Sequence, residues 1–298
     1  MARKPLILMT DAGHYEVSYV INPWMSPKAW SHDRAGHKRE ALAASAALKR
    51  ALETAGAEVV MADGAPGLPD MVFPANAAIV LDRRALVARF RFAERQGEEA
   101  HFLKAFEAMK ARGLFDTVEQ FPDGVYQEGA GDCIWDATRN HFWTGYGQRS
   151  ARESIPVIED FFDAETVALE LVSPRFYHLD VCFLPLSGGE VVYYPAAFSP
   201  EARNEIKSRV PAGKLIVASD EDAAGFCVNA VNIGKQIVMA TPTERLRAIL
   251  SERGYTVNGV DLAPFIMSGG GAYCMTLRLD RAREQAPAMQ KERATAAI

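Results

Sequence analysis

The chain has 298 residues, 49% hydrophobic and 24% charged, which excludes a disordered or coiled-coil protein and supplies ample apolar material for a core. Its formal charge of -5 and pI near 5.8 argue against nucleic acid, whose partners are usually basic. No apolar run reaches about 18 residues, so no membrane span is expected, and the opening "MARKPLILMTDAGH" is too short in its apolar part for a signal peptide, which points to the cytoplasm. Strand-like runs and amphipathic helical stretches then alternate. A strand over 5–11 leads to a helix over 38–55 that stops at Gly56, and strands follow over 57–63 and 77–82. The helix over 97–112 stops at Gly113. The helix over 151–163 opens on Ser150 and Glu153, which read as a capping box. Strands over 167–172 and 189–195 precede a helix over 200–210 capped by Ser199 and Pro200. Strands over 214–219 and 235–240 lead to the last helix, 242–253, with Thr241 as N-cap, Pro242 at N1 and Gly254 as its stop.

Five helices, each flanked by short strands, suggest a repeated β-plus-α unit, although a doubly wound sheet alternates in the same way. No linker divides the chain, so one domain over 1–280 and a polar, alanine-rich tail over 281–298 are expected. The four cysteines, Cys133, Cys182, Cys227 and Cys274, are scattered without a C-x-x-C pair. That spacing supports neither a disulfide framework nor a zinc site.

Four polar knots interrupt the apolar runs. They are "FPANAA" with Asn76, "EGAGDCIW" with Glu128 and Asp132, "YHLDVCFLPL" with His178 and Asp180, and "SGGGAYCMTLRL" with Cys274. Each alone reads as a turn or a packed residue. Together, a thiol, an imidazole and several carboxylates are the equipment for thiolate attack with acid–base help. A neighbouring cation favours the thiolate, and clustered carboxylates bind a cationic, planar electrophile. On an extended segment His178 and Asp180 would share one face and look into one cavity.

The knots sit within eight ordered blocks: "YVINPWM" (19–25), "DMVFPANAAIV" (70–80), "ERQGEE" (94–99), "EGAGD" (128–132), "GYGQRS" (145–150), "FYHLD" (176–180), "NAVNI" (229–233) and "GGGAYCMTLRL" (269–279). In these blocks the chain resembles the guanidino-group-modifying enzymes over about residues 5–280. The nearest likeness is to arginine dihydrolases and dimethylarginine dimethylaminohydrolase-like proteins. The resemblance implies an α/β pentein, a five-bladed propeller of ββαβ units around a central active site. It implies Cys274 as nucleophile and His178 as general acid/base. Of Glu128 and Asp132, one supports His178 and one holds guanidinium. It implies substrate binding by Asn22, Asn76, Asp180, Arg95 and Arg149, the two arginines taking the substrate carboxylate.

The activity implied is hydrolysis of the arginine guanidino group through a covalent thiouronium, with no cofactor and no metal. The sole partner is a small guanidino substrate, and association into a homo-oligomer is compatible with the family. Asn76 stands where deiminases and dimethylargininases carry an acid, which favours arginine to ornithine, ammonia and carbon dioxide. Dimethylargininase or deiminase chemistry giving citrulline stays open, with an amidinotransferase or a non-catalytic pentein behind it. Tyr273 departs from the pattern beside the nucleophile, where its ring would either narrow the pocket or pack outward.

Overall fold

Fifteen short strands, of two to six residues each, form five three-stranded sheets in the computed structural model, which describes residues 4–283. Four sheets are built from consecutive strands. They are β3 (Ala78–Leu81), β4 (Arg84–Val87) and β5 (Thr117–Gln120); β6 (Cys133–Asp136), β7 (His141–Tyr146) and β8 (Thr166–Glu170); β9 (Phe183–Pro185), β10 (Val191–Tyr193) and β11 (Leu215–Val217); β12 (Val231–Ile233), β13 (Gln236–Ala240) and β14 (Thr256–Val260). In each, the first two strands form an antiparallel hairpin, and the third returns parallel to the second after a helix. A parallel return needs such a crossover.

The fifth sheet closes the ring. β1 (Leu6–Thr10) pairs parallel with β2 (Glu58–Ala62) and antiparallel with β15 (Leu277–Arg278), with Ile7 opposite Arg278 and Leu8 opposite Leu277. The two ends of the described chain therefore share one ββαβ blade, and the architecture is the pentein propeller. The expected tail lies largely outside the described residues. No described helix is long and apolar enough to cross a membrane.

The crossover helices Arg34–Thr54, Glu98–Ala111, Ser154–Phe162, Pro200–Arg209 and Glu244–Glu252 fall within a few residues of their expected positions. The first buries Ala41, Ala44, Leu48 and Leu52, a spacing of three and four that makes one apolar face. It ends at Gly56, whose φ of +103° lies in the left-handed region. Two caps differ from expectation. Thr243, not Thr241, caps the last helix, its hydroxyl accepting from the Leu246 amide. Ser150 caps nothing: its hydroxyl donates to Asp132 instead, and the helix begins at Ser154.

A short turn enters the first strand of every blade, and these turns carry the polar knots. Asn76 stands two residues before β3, Asp132 one before β6, Asp180 three before β9, Asn229 two before β12 and Cys274 three before β15. Five turns from five blades thus meet around the middle of the molecule. Residues more than 200 positions apart in the chain become neighbours there.

Candidate active site

Cys274 lies in the turn before β15 and is 3% exposed. Its Sγ stands 3.1 Å from Asp180 Oδ2 and 3.1 Å from Asn229 Nδ2. Burial, followed by the Asp180 charge, holds the thiol well above its ordinary pKa, while the donor from Asn229 works the other way. Burial likewise pushes the Asp180 carboxyl up to about 7, against the hydrogen bonds from Cys274 and Asn229. Its second oxygen, Oδ1, is buried without a partner.

His178 precedes the single turn Leu179–Val181 and faces two carboxylates. Its Nε2 is 2.8 Å from Glu128 Oε2 and 3.8 Å from Asp132 Oδ2. Arg149 Nη1 donates to the same Glu128 oxygen at 3.0 Å, and the Arg91 amide donates to the other at 3.3 Å. Burial alone would raise the Glu128 carboxyl. Arg149 and His178 outweigh it and hold the group well below the usual carboxylate range, so Glu128 stays ionised. Asp132 accepts from Ser150 Oγ at 2.6 Å and from the Leu179 amide at 2.9 Å. Burial nevertheless pushes it up to about 6, against His178 and Ser150. Two carboxylates on one imidazole are thereby driven apart.

A small cavity reaches Cys274, walled by Asn22, Asp70, Asn76, Arg95, Arg149 and Tyr177, with Ser268, Gly269 and Gly270 beside them. Its volume, about 10 Å³, is room for about one water molecule. Arg149 stacks between the rings of Phe92 and Tyr177 and donates to the Ile21 carbonyl at 3.0 Å. Arg95 is held in a fork by Glu98, at 2.9 and 2.8 Å, and donates to Asn76 Oδ1 at 2.9 Å. Asn76 Nδ2 in turn donates to the Glu128 carbonyl at 3.1 Å. Asn22 Nδ2 donates to the Ser268 carbonyl at 2.9 Å and so ties the Ile21–Trp24 segment across the cavity.

Eight of the nine expected site residues fall into two linked groups. Cys274, Asn22, Asn76, Arg95 and Arg149 line the cavity, and His178, Glu128 and Asp132 form the ion network joined to it through Arg149 and Asn76. Asp180 is bonded to the cavity's sulfur without lining the cavity. One geometric expectation fails. His178 and Asp180 do not share the face of a strand, because a 3-10 turn begins at Leu179, sending His178 to Glu128 and Asp180 to Cys274. Tyr273 packs away from the cavity and lines a separate one, of about 300 Å³, with Arg278 and Arg281. Sequence reasoning missed Asp70 and Asn229. Asp70 is 3% exposed, with Oδ1 unpartnered, and its carboxyl is raised by burial. The only sequence signal for either was its place inside a block.

The raised Asp180 carboxyl has a measurable consequence. A folded-state pKa above the unfolded value gives stability that is complete below about pH 4 and lost as pH rises through about 7. Asp180→Asn has no such loss, so its melting temperature should gain on the parent's between pH 5 and 8. A constant difference across that window would show that Asp180 is not raised.

The family model for eukaryotic N,N dimethylarginine dimethylhydrolase matches residues 21–281. A bifunctional arginine dihydrolase/ornithine cyclodeaminase, ArgZ of Synechocystis sp., is 41% identical over 281 residues, 94% of this chain but 38% of that protein. The chain thus spans well under half the length of that relative. The N(G),N(G)-dimethylarginine dimethylaminohydrolase of Mycobacterium tuberculosis is 33% identical over 281 residues, covering 91% of this chain and 84% of that one. Among solved structures, the N-terminal domain of ArgZ, a cysteine-to-serine mutant bound to substrate, superposes with a TM-score of 0.86 at 38% identity. It covers 94% of this chain and 99% of that one. With five ββαβ blades whose entrance turns converge on a buried cysteine, and with a family model that matches residues 21–281, the chain belongs to the N,N dimethylarginine dimethylhydrolase family of the pentein superfamily.

Proposed function

We propose that the chain is a cysteine-dependent hydrolase that converts L-arginine and two waters to L-ornithine, two ammonia and carbon dioxide. The observation that carries this reading is the pairing of Cys274 Sγ with a carboxylate beside a buried cavity walled by Asn76, Asp70 and two arginines. Such a cavity offers a thiol at one end and charges for an amino acid's head group at the other. In the proposed binding mode Arg149 and Arg95 attract the α-carboxylate, and the unpartnered Asp70 oxygen takes the α-ammonium. The guanidinium, facing Asp180, offsets that carboxylate's charge and favours the thiolate, and the thiol proton passes to His178.

The thiolate then attacks the guanidinium carbon to give a tetrahedral adduct. His178, oriented by Glu128, gives a proton to the departing ammonia, which leaves a planar thiouronium on sulfur. The same imidazole takes a proton from water as the water attacks, the C–S bond breaks, and citrulline stands in the site. In a second round the ureido carbon is attacked, and a second ammonia departs. Hydrolysis gives the ornithine carbamate, which loses carbon dioxide. Asn76 suits this second round, because an amide both donates and accepts, whereas a carboxylate favours only the cation. The substrate needs more room than the cavity offers, so the cavity has to widen for it to enter. We place the reaction in the cytoplasm.

The test is incubation of the purified protein with L-arginine and, separately, asymmetric dimethylarginine, with products identified by mass spectrometry. Ornithine from arginine is expected. Citrulline with dimethylamine from the methylated substrate, and no ornithine, would replace this reading by a second one, which the family match favours. Asn76→Asp should accumulate citrulline at the expense of ornithine. Undiminished ornithine from that variant would remove Asn76 from the explanation.

A further inference from the structure

Asn229 carries no charge and was not expected in the site, yet it is fully buried and its side chain bonds to both sides of the nucleophile. Its Oδ1 accepts from the Tyr273 amide at 2.9 Å and the Cys274 amide at 3.2 Å. Its Nδ2 donates to the Asp180 carbonyl at 3.1 Å and to Cys274 Sγ at 3.1 Å. The orientation of the amide is forced. Two backbone N–H groups can only donate, so the oxygen must face them, and that leaves the NH2 on the sulfur.

The glycine run before the nucleophile is explained by the same contact. A Cβ on Gly271 would stand 2.7 Å from Asn229 Oδ1. Gly271 thus admits the amide to the turn, and the turn presents its two N–H groups to the amide.

We propose that Asn229 is a catalytic residue, a fixed donor to the Cys274 thiolate whose other end clamps the turn that carries the sulfur. The inference rests on Cys274 as nucleophile and deepens that reading. The thiolate forms beside Asp180, a like charge, at the edge of a cavity lined by Asp70, Arg95, Arg149 and Tyr177. A neutral donor fixed on the sulfur favours the anion without competing for the cationic substrate. It acts again each time the C–S bond breaks and returns the electron pair to sulfur. Preorganised donors of this kind are typically worth about 10²–10³ in kcat.

Asn229→Asp separates the two functions of the amide. One carboxylate oxygen still accepts from both backbone amides, while the other replaces the donor at Sγ by a negative charge. The pH profile of iodoacetamide alkylation at Cys274, read by peptide mass spectrometry on the full chain, should move up by at least about one pH unit. Turnover should fall about 10²-fold, with KM within a few-fold of the parent. An unmoved alkylation profile in the folded variant would overturn the proposal.

A second measurement needs no substitution at Asn229. In protein labelled with 15N-asparagine, one side-chain amide signal should titrate with the alkylation midpoint, and the titration should vanish in Cys274→Ala. If no asparagine side chain follows the thiol, the proposal fails. Alkylation requires no substrate. A protein that spares arginine yet loses Cys274 reactivity in Asn229→Asp would therefore sink the proposed reaction and leave this inference standing.

Discussion

Cys274→Ser is expected to lower turnover of arginine by about 10⁴-fold or more while leaving the melting temperature within a few degrees of the parent's. The magnitude follows from removing a nucleophile from machinery that acts as a unit. A hydroxyl ionises far above a thiol, and neither Asp180 nor Asn229 provides a base strong enough to compensate. The fold should hold because serine is nearly the shape of cysteine, and both contacts of the sulfur, Asp180 Oδ2 and Asn229 Nδ2, can be made by a hydroxyl. The other cysteines cannot substitute. Cys182 donates to the carbonyls of His178 and Leu179, Cys227 donates to Thr241, and Cys133 accepts from the Thr144 hydroxyl. Burial raises all four thiols, so acidity does not single out Cys274; its carboxylate and amide partners do. Steady-state rates and intact-protein mass under substrate are the measurements. A serine variant retaining about a hundredth of the rate would move the chemistry away from this sulfur.

The crossover helices were legible in the sequence because each carries a 3.6-residue apolar stripe and a cap or glycine stop. The first strands of the blades, β3 apart, were not. β6, β9, β12 and β15 run two to four residues, too few to establish a period, and their identity comes from pairing with distant partners. Ring closure is the extreme case, because Ile7 and Arg278 meet only once the other four blades are in place. One of the two misread caps has a physical cause. Ser150 satisfies Asp132 rather than a helix end, and a buried carboxylate is the more demanding partner. Within the site, Cys274, His178, Glu128, Asp132 and Asp180 announced themselves as polar interruptions at blade entrances, whereas Arg95 and Arg149 came only from the resemblance. Asn229 occupies the equivalent entrance in its own blade, but an uncharged residue inside "FCVNAVNI" gives no chemical hint. Its role appears only when the turn holding Cys274 is brought against it. The resemblance, rather than periodicity, supplied the propeller, and the alternating pattern was equally compatible with an open sheet.

Glu128→Gln is the substitution expected to damage both catalysis and stability. Glu128 is fully buried, and one of its oxygens receives both His178 Nε2 and Arg149 Nη1. The amide keeps the shape but cancels the charge. Arg149, 2% exposed, then stays buried beside a neutral group, a loss of the kind that costs about 3–5 kcal/mol. The imidazole loses its ionised anchor, and turnover should drop by about 10²–10⁴-fold. The parent carboxyl lies well below the usual range, so its stabilising contribution is complete above about pH 4.5 and lost only as pH falls below that. The stability deficit of the variant should therefore be flat from pH 5 to 8.

Asp132→Asn should behave differently. Burial pushes Asp132 up to about 6, so the parent group is largely protonated at pH 5 and ionised at pH 8. The amide imitates the protonated form. The activity ratio of parent to variant should approach one toward pH 5 and widen above pH 6. Chemical denaturation and kcat measured across pH 5–8 for both variants decide the matter. Parallel profiles would mean that the two carboxylates are not driven apart. A Glu128→Gln protein with a third of the parent's rate and an unchanged denaturation midpoint would reduce Glu128 to packing, and with it the assignment of His178 as an imidazole held for proton transfer.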